Sequence, residues 1–382
     1  MTVTTLPVAP HPRRSRRRAI ANVVPPALRA PESAAAAVFA AIRHRGPVAR
    51  DVVAGISGLS VATVNRQVSA LLDARLLRER PDLSVPGAIG RPRIPVEVNH
   101  EPYLTLGVHI GTRATSIVAA DLFGRILDAV ETATPTGDQA AGLASLADSA
   151  RRYLSRWHRR RPLWIGVAIG GVVDVETGHV DHTRLGWSQA PVGAALTRAL
   201  GLPVSVAPHV DAMAGAELLL GNQQPRGGSS GLYFYARETV GFAQVIDGRV
   251  HTPSGGPGTI AGLSVQSELL GGTGQLESTV SDEAVVAAAR KSGILPSHGP
   301  NSSITALRRI ARQDVGSAAA DARELFAERA RVLGGAVALL RDMLNPDDVL
   351  VGGQAFTEYP EGMKQFRAAF AERSCCRRGR SG

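Results

Sequence analysis

The chain has 382 residues, a formal net charge of +10, 44% hydrophobic residues and two cysteines. That length suffices for two or three domains. The cysteines, Cys375 and Cys376, are adjacent, which excludes a disulfide framework and a four-cysteine metal site. No apolar run nears the roughly 20 residues of a membrane-spanning helix. The basic N-terminal stretch is not followed by the apolar core of a secretory signal. A cytoplasmic protein that keeps clear of the membrane is expected.

The charge is uneven. Residues 1–100 hold 15 Arg, no Lys and 6 acids, so 15 − 6 = +9 of the total +10 lies there. A basic head on a nearly neutral body points to a polyanionic partner. Residues 1–30 are rich in Pro, Arg and Ala and lack periodicity, which reads as a disordered basic arm. From about residue 31 the pattern turns helical. In "ESAAAAVFAAIRHRG" Ala34, Val38, Ala41 and Ile42 share one face, and Gly46-Pro47 ends the helix. "ARDVVAGI" is a second short helix and "SGLS" a tight turn. Ser60 is a good N-cap for a third helix, "VATVNRQVSALLDA". Val64, Val68, Leu71 and Leu72 form its buried stripe. Its other face offers Ala62, Thr63, Asn65, Arg66 and Ser69.

Two short helices across a glycine-containing turn, the second with a polar and basic outer face, make a helix-turn-helix. The third helix would enter the major groove, with Asn65 suited to adenine and Arg66 to guanine or phosphate. DNA contact is expected at Ser60, Thr63, Asn65, Arg66 and Ser69. "LLRER" (76–80) and "PVEVN" (95–99) can pair as a wing. Between them "GAIGRPRIP" carries Arg91 and Arg93, also expected to touch DNA. Minor-groove entry and plain phosphate contact both stay open for these two. The winged head is expected over residues 31–98, with double-stranded operator DNA as its partner and the nucleoid as its place in the cell.

From Tyr103 onward strands and helices alternate. "YLTLGVHI", "ATSIVAAD" and "GRILDAVE" form an antiparallel start, followed by a helical stretch over about 137–160 and the apolar strand "LWIGVAIGGVVD". "PVSVAP" is another strand and "HVDAMAGAELLLG" a helix. The second half opens with "GLYFYARETVGFAQVIDGRV", with a short turn at Asp247-Gly248. It ends with the helix "DARELFAERARVLGGAVALLRDMLN", the strand "DDVLVGG" and a last helix around 360–373. Two halves that each open with a hairpin and continue into α/β units suggest a duplicated fold.

The ordered motifs carry a specific resemblance over about Ser33 to Glu372. "GPVARDVVAGISGLSVATVNRQVSALLDARLL", "LGVHIGT", "IGVAIGGVVD", "DAMAGAE", "VIDGRV", "GGPGTIAGL", "GGTGQLE" and "LNPDDVLVGG" resemble, in order, the regulator branch of the ROK family of repressors, open reading frames and sugar kinases. The fold class implied is α/β: a winged helix-turn-helix followed by a two-lobed actin-like sugar-kinase domain. That domain would span 99–373, with lobes of about 99–225 and 226–373. The family's regulators bind operators as oligomers and respond to sugars or sugar phosphates. Homo-oligomers and a sugar-like effector are therefore implied.

The family's chemistry is largely replaced. Its kinases carry Asp-x-Gly-Thr at the first strand turn, where this chain has His109-Ile110-Gly111-Thr112, and an imidazole does not replace a hard oxygen ligand for magnesium. The second phosphate loop reads "ARETVG", so Arg237 and Glu238 stand where glycines let the backbone approach phosphate. The glycine pair by the family's adenosine site is kept as Gly352-Gly353. The Asn-Asp pair holding the catalytic base falls on Pro208 and His209, with Asp211 just after. The sugar-holding Glu-x-Gly-His falls on "TIAG", with Thr259 for the Glu and Gly262 for the His, and a later Glu is matched by Glu277. The family's zinc cysteines fall on Glu268, Leu270 and Gln275, so no metal is expected. No cofactor and no catalytic residue are expected either. His109, His209, Asp211, Thr259 and Glu277 are the candidate residues of an effector cleft, which holds a sugar, another small molecule or nothing.

The reading is a DNA-binding transcriptional regulator of repressor type without kinase activity. The alternatives are an active sugar kinase with an added head and a decayed family member. Family chains continue past residue 372 through another strand and helix, whereas this one ends in the irregular, basic "RSCCRRGRSG". A truncated lobe with apolar surface beside its last strand, and a correspondingly lower stability, is the expectation there.

Overall fold

The computed structural model describes residues 23–84, 94–221, 229–253, 256 and 258–372. They fall in two compact units, one reaching residue 222 apart from residues 213–215, the other holding those three and the rest.

The first unit begins with α1 (Ala34–Arg45), α2 (Arg50–Ser57) and α3 (Val61–Asp73). Ser33 caps α1 by accepting the Ala36 N–H, and Ser60 caps α3 by accepting the Thr63 N–H. Between α2 and α3 the chain reverses at Gly58, whose φ of 67° is left-handed and suits glycine. The wing forms as β1 (Leu77–Glu79) paired antiparallel with β2 (Val96–Val98), and Val48 adds a bridge to Val96. Val38, Ile42, Val53, Val64, Val68 and Val96 close the core of this head. Arg91 and Arg93, between the wing strands, lie outside the described residues.

The expectation of a disordered arm through residue 30 is corrected for residues 23–30. Val23 is buried and bridges Val204, and the Val24 N–H donates to the Val204 carbonyl at 2.9 Å. The physical reason is an apolar pair, Val23-Val24, that finds an open strand edge; arginine-rich composition upstream masks it.

The rest of this unit runs β3 (Tyr103–Ile110), β4 (Ala114–Ala120), β5 (Ile126–Ala133), α4 (Gln139–Ser155), β6 (Arg161–Ile169), β7 (Val172–Asp174), β8 (His179–His182), β9 (Trp187–Ala190), α5 (Val192–Leu200), β10 (Val204–Pro208) and α6 (His209–Leu220). The main sheet has the order β10-β6-β3-β4-β5, with β6 parallel to both β3 and β10. Alternation sorts the residues of β3. Leu106, Val108 and Ile110 join a core with Leu146 of α4 and Leu196 of α5, while Gly107 and His109 take the other face. The run "LWIGVAIGGVVD" is two strands rather than one. Gly171 turns the chain at φ 84°, and a side chain there would sit 2.2 Å from the Asp181 carbonyl oxygen.

The second unit repeats the opening: β11 (Ser230–Ala236), β12 (Val240–Ile246) and β13 (Arg249–His251). Asp247 and Gly248, with φ of 51° and 69°, make the tight turn into β13. Three helices that the sequence reading does not single out follow: α7 (Leu276–Val280), α8 (Asp282–Lys291) and α9 (Ile304–Ala311). Then come α10 (Ser317–Leu344), β14 (Asp348–Gly352), α11 (Gln354–Thr357) and α12 (Met363–Glu372). The sheet order is β13-β12-β11-β14, with β14 parallel to β11. Among the described residues no helix is long and apolar enough to cross a membrane.

A buried charge cluster fastens this unit. The Arg329 guanidinium donates to Asp282 at 2.8 Å and also to the Arg237 carbonyl at 3.2 Å. Arg237 and Arg308 each bring a nitrogen to 3.9 Å from the second Asp282 oxygen. Burial is the main force pushing the Arg329 and Arg308 pKa values down, and Asp282 opposes it. Removing the acid leaves buried cations without their counter-charge. Asp282→Ala is expected to cost about 3–5 kcal/mol in the denaturant unfolding of this unit. A loss under about 1 kcal/mol, the scale of an exposed pair, would contradict that role.

Candidate functional site

The head presents one polar helix face. Asn65, Arg66 and Ser69 of α3 are exposed and Thr63 is half-buried, while Val64 and Val68 point inward. Ser60 serves the cap: besides the Thr63 N–H, its hydroxyl lies 2.9 Å from the Thr63 hydroxyl. Val61 was missed by sequence reasoning, because its position three before Val64 continues the apolar stripe. It is 52% exposed at the N-terminus of α3, where an apolar group can meet a thymine methyl.

The head is tied to the sheet that follows it. Leu122 and Phe123, in the turn between β4 and β5, pack against its core. Asp121, buried, accepts the N–H groups of Phe123 and Arg125 at 2.9 and 3.0 Å and lies 3.1 Å from His100. The His100 ring meets Phe123 edge-on at 4.9 Å. Asn99 donates to the Arg75 carbonyl at 2.8 Å, and Arg43 of α1 donates to the Leu219 carbonyl of α6.

Of the candidate cleft residues, three lie in the first unit. His109 is the penultimate residue of β3, and its ring centroid is 6.2 Å from that of His209, the first residue of α6. Asp211, two residues further along α6, is buried. His182, which sequence reasoning did not single out, joins them at Gly170. A side chain on Gly170 would come within 3.3 Å of the His182 ring and 3.8 Å of His209 Nδ1. Nothing local in "HVDHTRLGW" announces this, since β8 brings it there. Burial, then the neighbouring His109, depress the His209 pKa from 6.5 to about 4, against a backbone hydrogen bond at Ile169. Burial also lowers the His182 pKa.

Thr259 and Glu277 lie in the second unit and both bind the backbone of Val240. The Thr259 hydroxyl donates to the Val240 carbonyl at 3.1 Å, and a Glu277 oxygen accepts the Val240 N–H at 3.1 Å. Both side chains thus fasten the start of β12. The loop before it, with Arg237 and Glu238, is held by the Asp282 cluster through Arg329. At the retained glycine pair, a side chain on Gly352 would sit 2.0 Å from the Tyr233 hydroxyl. Packing of Tyr233 by itself accounts for a glycine there. Of the positions matching zinc cysteines, Leu270 is in an apolar core, and Glu268 and Gln275 are exposed.

A sequence model of the ROK family matches residues 105–374. The chain is 66% identical over 366 residues to the transcriptional regulator Rv0485 of Mycobacterium tuberculosis, covering 94% of this chain and 83% of that one. A solved ROK family transcriptional regulator, a homolog of the Escherichia coli Mlc protein, superposes with a TM-score of 0.67 at 24% identity, covering 89% of this chain and 87% of its own. A ROK glucokinase from Streptomyces griseus, solved with glucose and AMPPNP, gives 0.61 at 22% identity, over 73% of this chain and 92% of that one. With most of its length matched by the family and two thirds of its residues shared with a named regulator, the chain belongs to the ROK family.

Proposed function

We propose that the protein is a transcriptional regulator that binds operator DNA through α3 and has lost kinase activity. The observation that carries this is the exposed face Val61, Asn65, Arg66 and Ser69, presented by a capped helix behind a left-handed turn and beside a wing. Thr63 flanks it. The N-terminal half of α3 reads base edges, and Arg91 and Arg93 add contacts from the segment between the wing strands. The mycobacterial relative named as a transcriptional regulator supports the reading. A homodimer that presents two such heads matches an inverted-repeat operator and represses by occupying it.

Loss of phosphoryl transfer follows from what replaced the kinase groups. His109 offers no hard oxygen for a magnesium ion. Arg237 and Glu238 put side chains where close backbone approach to phosphate is needed, and the Asp282 cluster holds their loop. His209, with a pKa near 4, is a poor general base at neutral pH, where a value near 7 is most effective. Thr259 and Glu277 are engaged with Val240, which disfavours the sugar contacts of the family's kinases.

A mobility shift on the gene's own upstream DNA tests the function. Arg66→Ala is expected to weaken binding by about 1–3 kcal/mol, roughly tenfold or more. Equal binding by the wild type and the variant at moderate salt would remove α3 from the interface. ATP-dependent phosphorylation of glucose or N-acetylglucosamine is expected to stay at background, and turnover above it would restore the kinase reading. His209 gives a pH signature. Its folded pKa lies below its ordinary value, so the unfolded chain binds the extra proton. Its contribution is complete above about pH 6.5 and is lost as the pH falls toward 4. Denaturant melts across that window are expected to show a shallower acid decline for His209→Gln than for wild type.

A further inference from the structure

The proposed function leaves unused one concave surface of the first unit, on the face of the main sheet turned away from α4 and α5. Small residues pave it: Gly107 on β3, Gly166 and Ala168 on β6, and Ala207 on β10. The segment from Val24 to Leu28 lies along them, and together they line an open groove of about 530 Å³. That volume falls within the ~300–1,000 Å³ of small-molecule sites. Val24, Pro26 and Leu28 are partly buried, whereas Pro25 and Ala27 between them are exposed, so alternate residues of the segment turn toward the sheet. Trp164 forms one wall.

The walls are nearly all carbon. The indole N–H of Trp164 donates to the Ser205 hydroxyl at 3.0 Å, and that hydroxyl donates to the Val24 carbonyl at 2.7 Å. These two polar side chains are spent on holding the roof to the sheet. His109 supplies the other polar side chain of the lining. A sugar here would lose water from several hydroxyls without regaining hydrogen bonds. An apolar molecule would gain burial along the whole cavity.

The geometry points to an effector site for a small apolar molecule, aliphatic or aromatic, with at most one polar group placed beside His109. The roof gives it a route to the head. Val23 and Val24 are fixed to β10, and Ser33, the cap of α1, follows only five residues after Leu28. A ligand that lifts Pro26 and Leu28 therefore shifts the lead into α1 and changes operator affinity. This second step rests on the regulator reading; occupancy of the cavity does not.

Gly166 allows a clean test, because a side chain built there meets nothing within 4 Å. Gly166→Leu fills the cavity from its floor, and removing a strand glycine does not weaken the sheet. The probe is N-phenyl-1-naphthylamine, an uncharged aromatic fluorophore, titrated into the full chain while tryptophan emission is followed. Saturable one-to-one binding with loss of Trp164 emission is expected, weakened about tenfold or more in Gly166→Leu, whose melting temperature stays equal or rises. Absence of saturable binding, or equal binding by wild type and Gly166→Leu, overturns the site. In mobility shifts the probe is expected to change DNA affinity for wild type and not for Gly166→Leu. Binding without that change overturns the coupling. Failure of the probe-free wild type to shift DNA instead refutes the regulator function, and fluorescence alone then decides the cavity.

Discussion

The core that the three-helix head shares with the turn of the neighbouring hairpin organises the first unit. Among the described residues its buried core is eleven small and branched aliphatic side chains, Ile42, Val64 and Val68 among them. A domain of that size buries too little surface for a comfortable margin of stability. Leu122 and Phe123 extend the core from the neighbouring hairpin turn, and buried Asp121 fixes that turn through two backbone N–H groups. The shared core sets the direction in which α3 presents its polar face. It also makes the head sensitive to whatever shifts the sheet or the segment that crosses it.

The sheets have kept their architecture while their reactive positions changed. His109, next to the end of β3, faces the side away from α4, as the alternation of a strand dictates. Without a carboxylate there, the position becomes the wall of a largely apolar cavity. Arg237 has moved in the opposite direction, from close backbone approach to an ion-paired anchor around Asp282. Thr259 and Glu277 are both engaged with the backbone of Val240, one at its carbonyl and one at its N–H. Each of these side chains is engaged with its own fold: Arg237 with Asp282, Thr259 and Glu277 with Val240.

Much of the head was legible in local sequence. Ser60, the Gly58 turn and the spacing Val64, Val68, Leu71, Leu72 specify α3 and its buried side without long-range information. Val61 was not legible, because an apolar residue three before Val64 fits the stripe, yet it is exposed at the first position of α3. His182 and Asp282 were not legible either. His182 meets α6 through His209, and Asp282 meets α9 and α10 through Arg308 and Arg329, each tens of residues away.

The sequence by itself determined the periodic and the chemical facts. These are helix and strand periods, caps and turns, the concentration of positive charge in the first hundred residues, and the loss of magnesium-binding and zinc-binding side chains. Such features depend on a residue and its near neighbours. The tertiary structure alone decided what each retained or replaced residue touches. It attached Val23 to Val204, gathered His182 and His209 at Gly170, and spent Thr259 and Glu277 on Val240. It also opened an apolar cavity over Gly107 and Gly166. The physical reason is that hydrogen bonding and burial belong to pairs of surfaces. A sequence names one surface at a time, and the fold alone brings the second one to it.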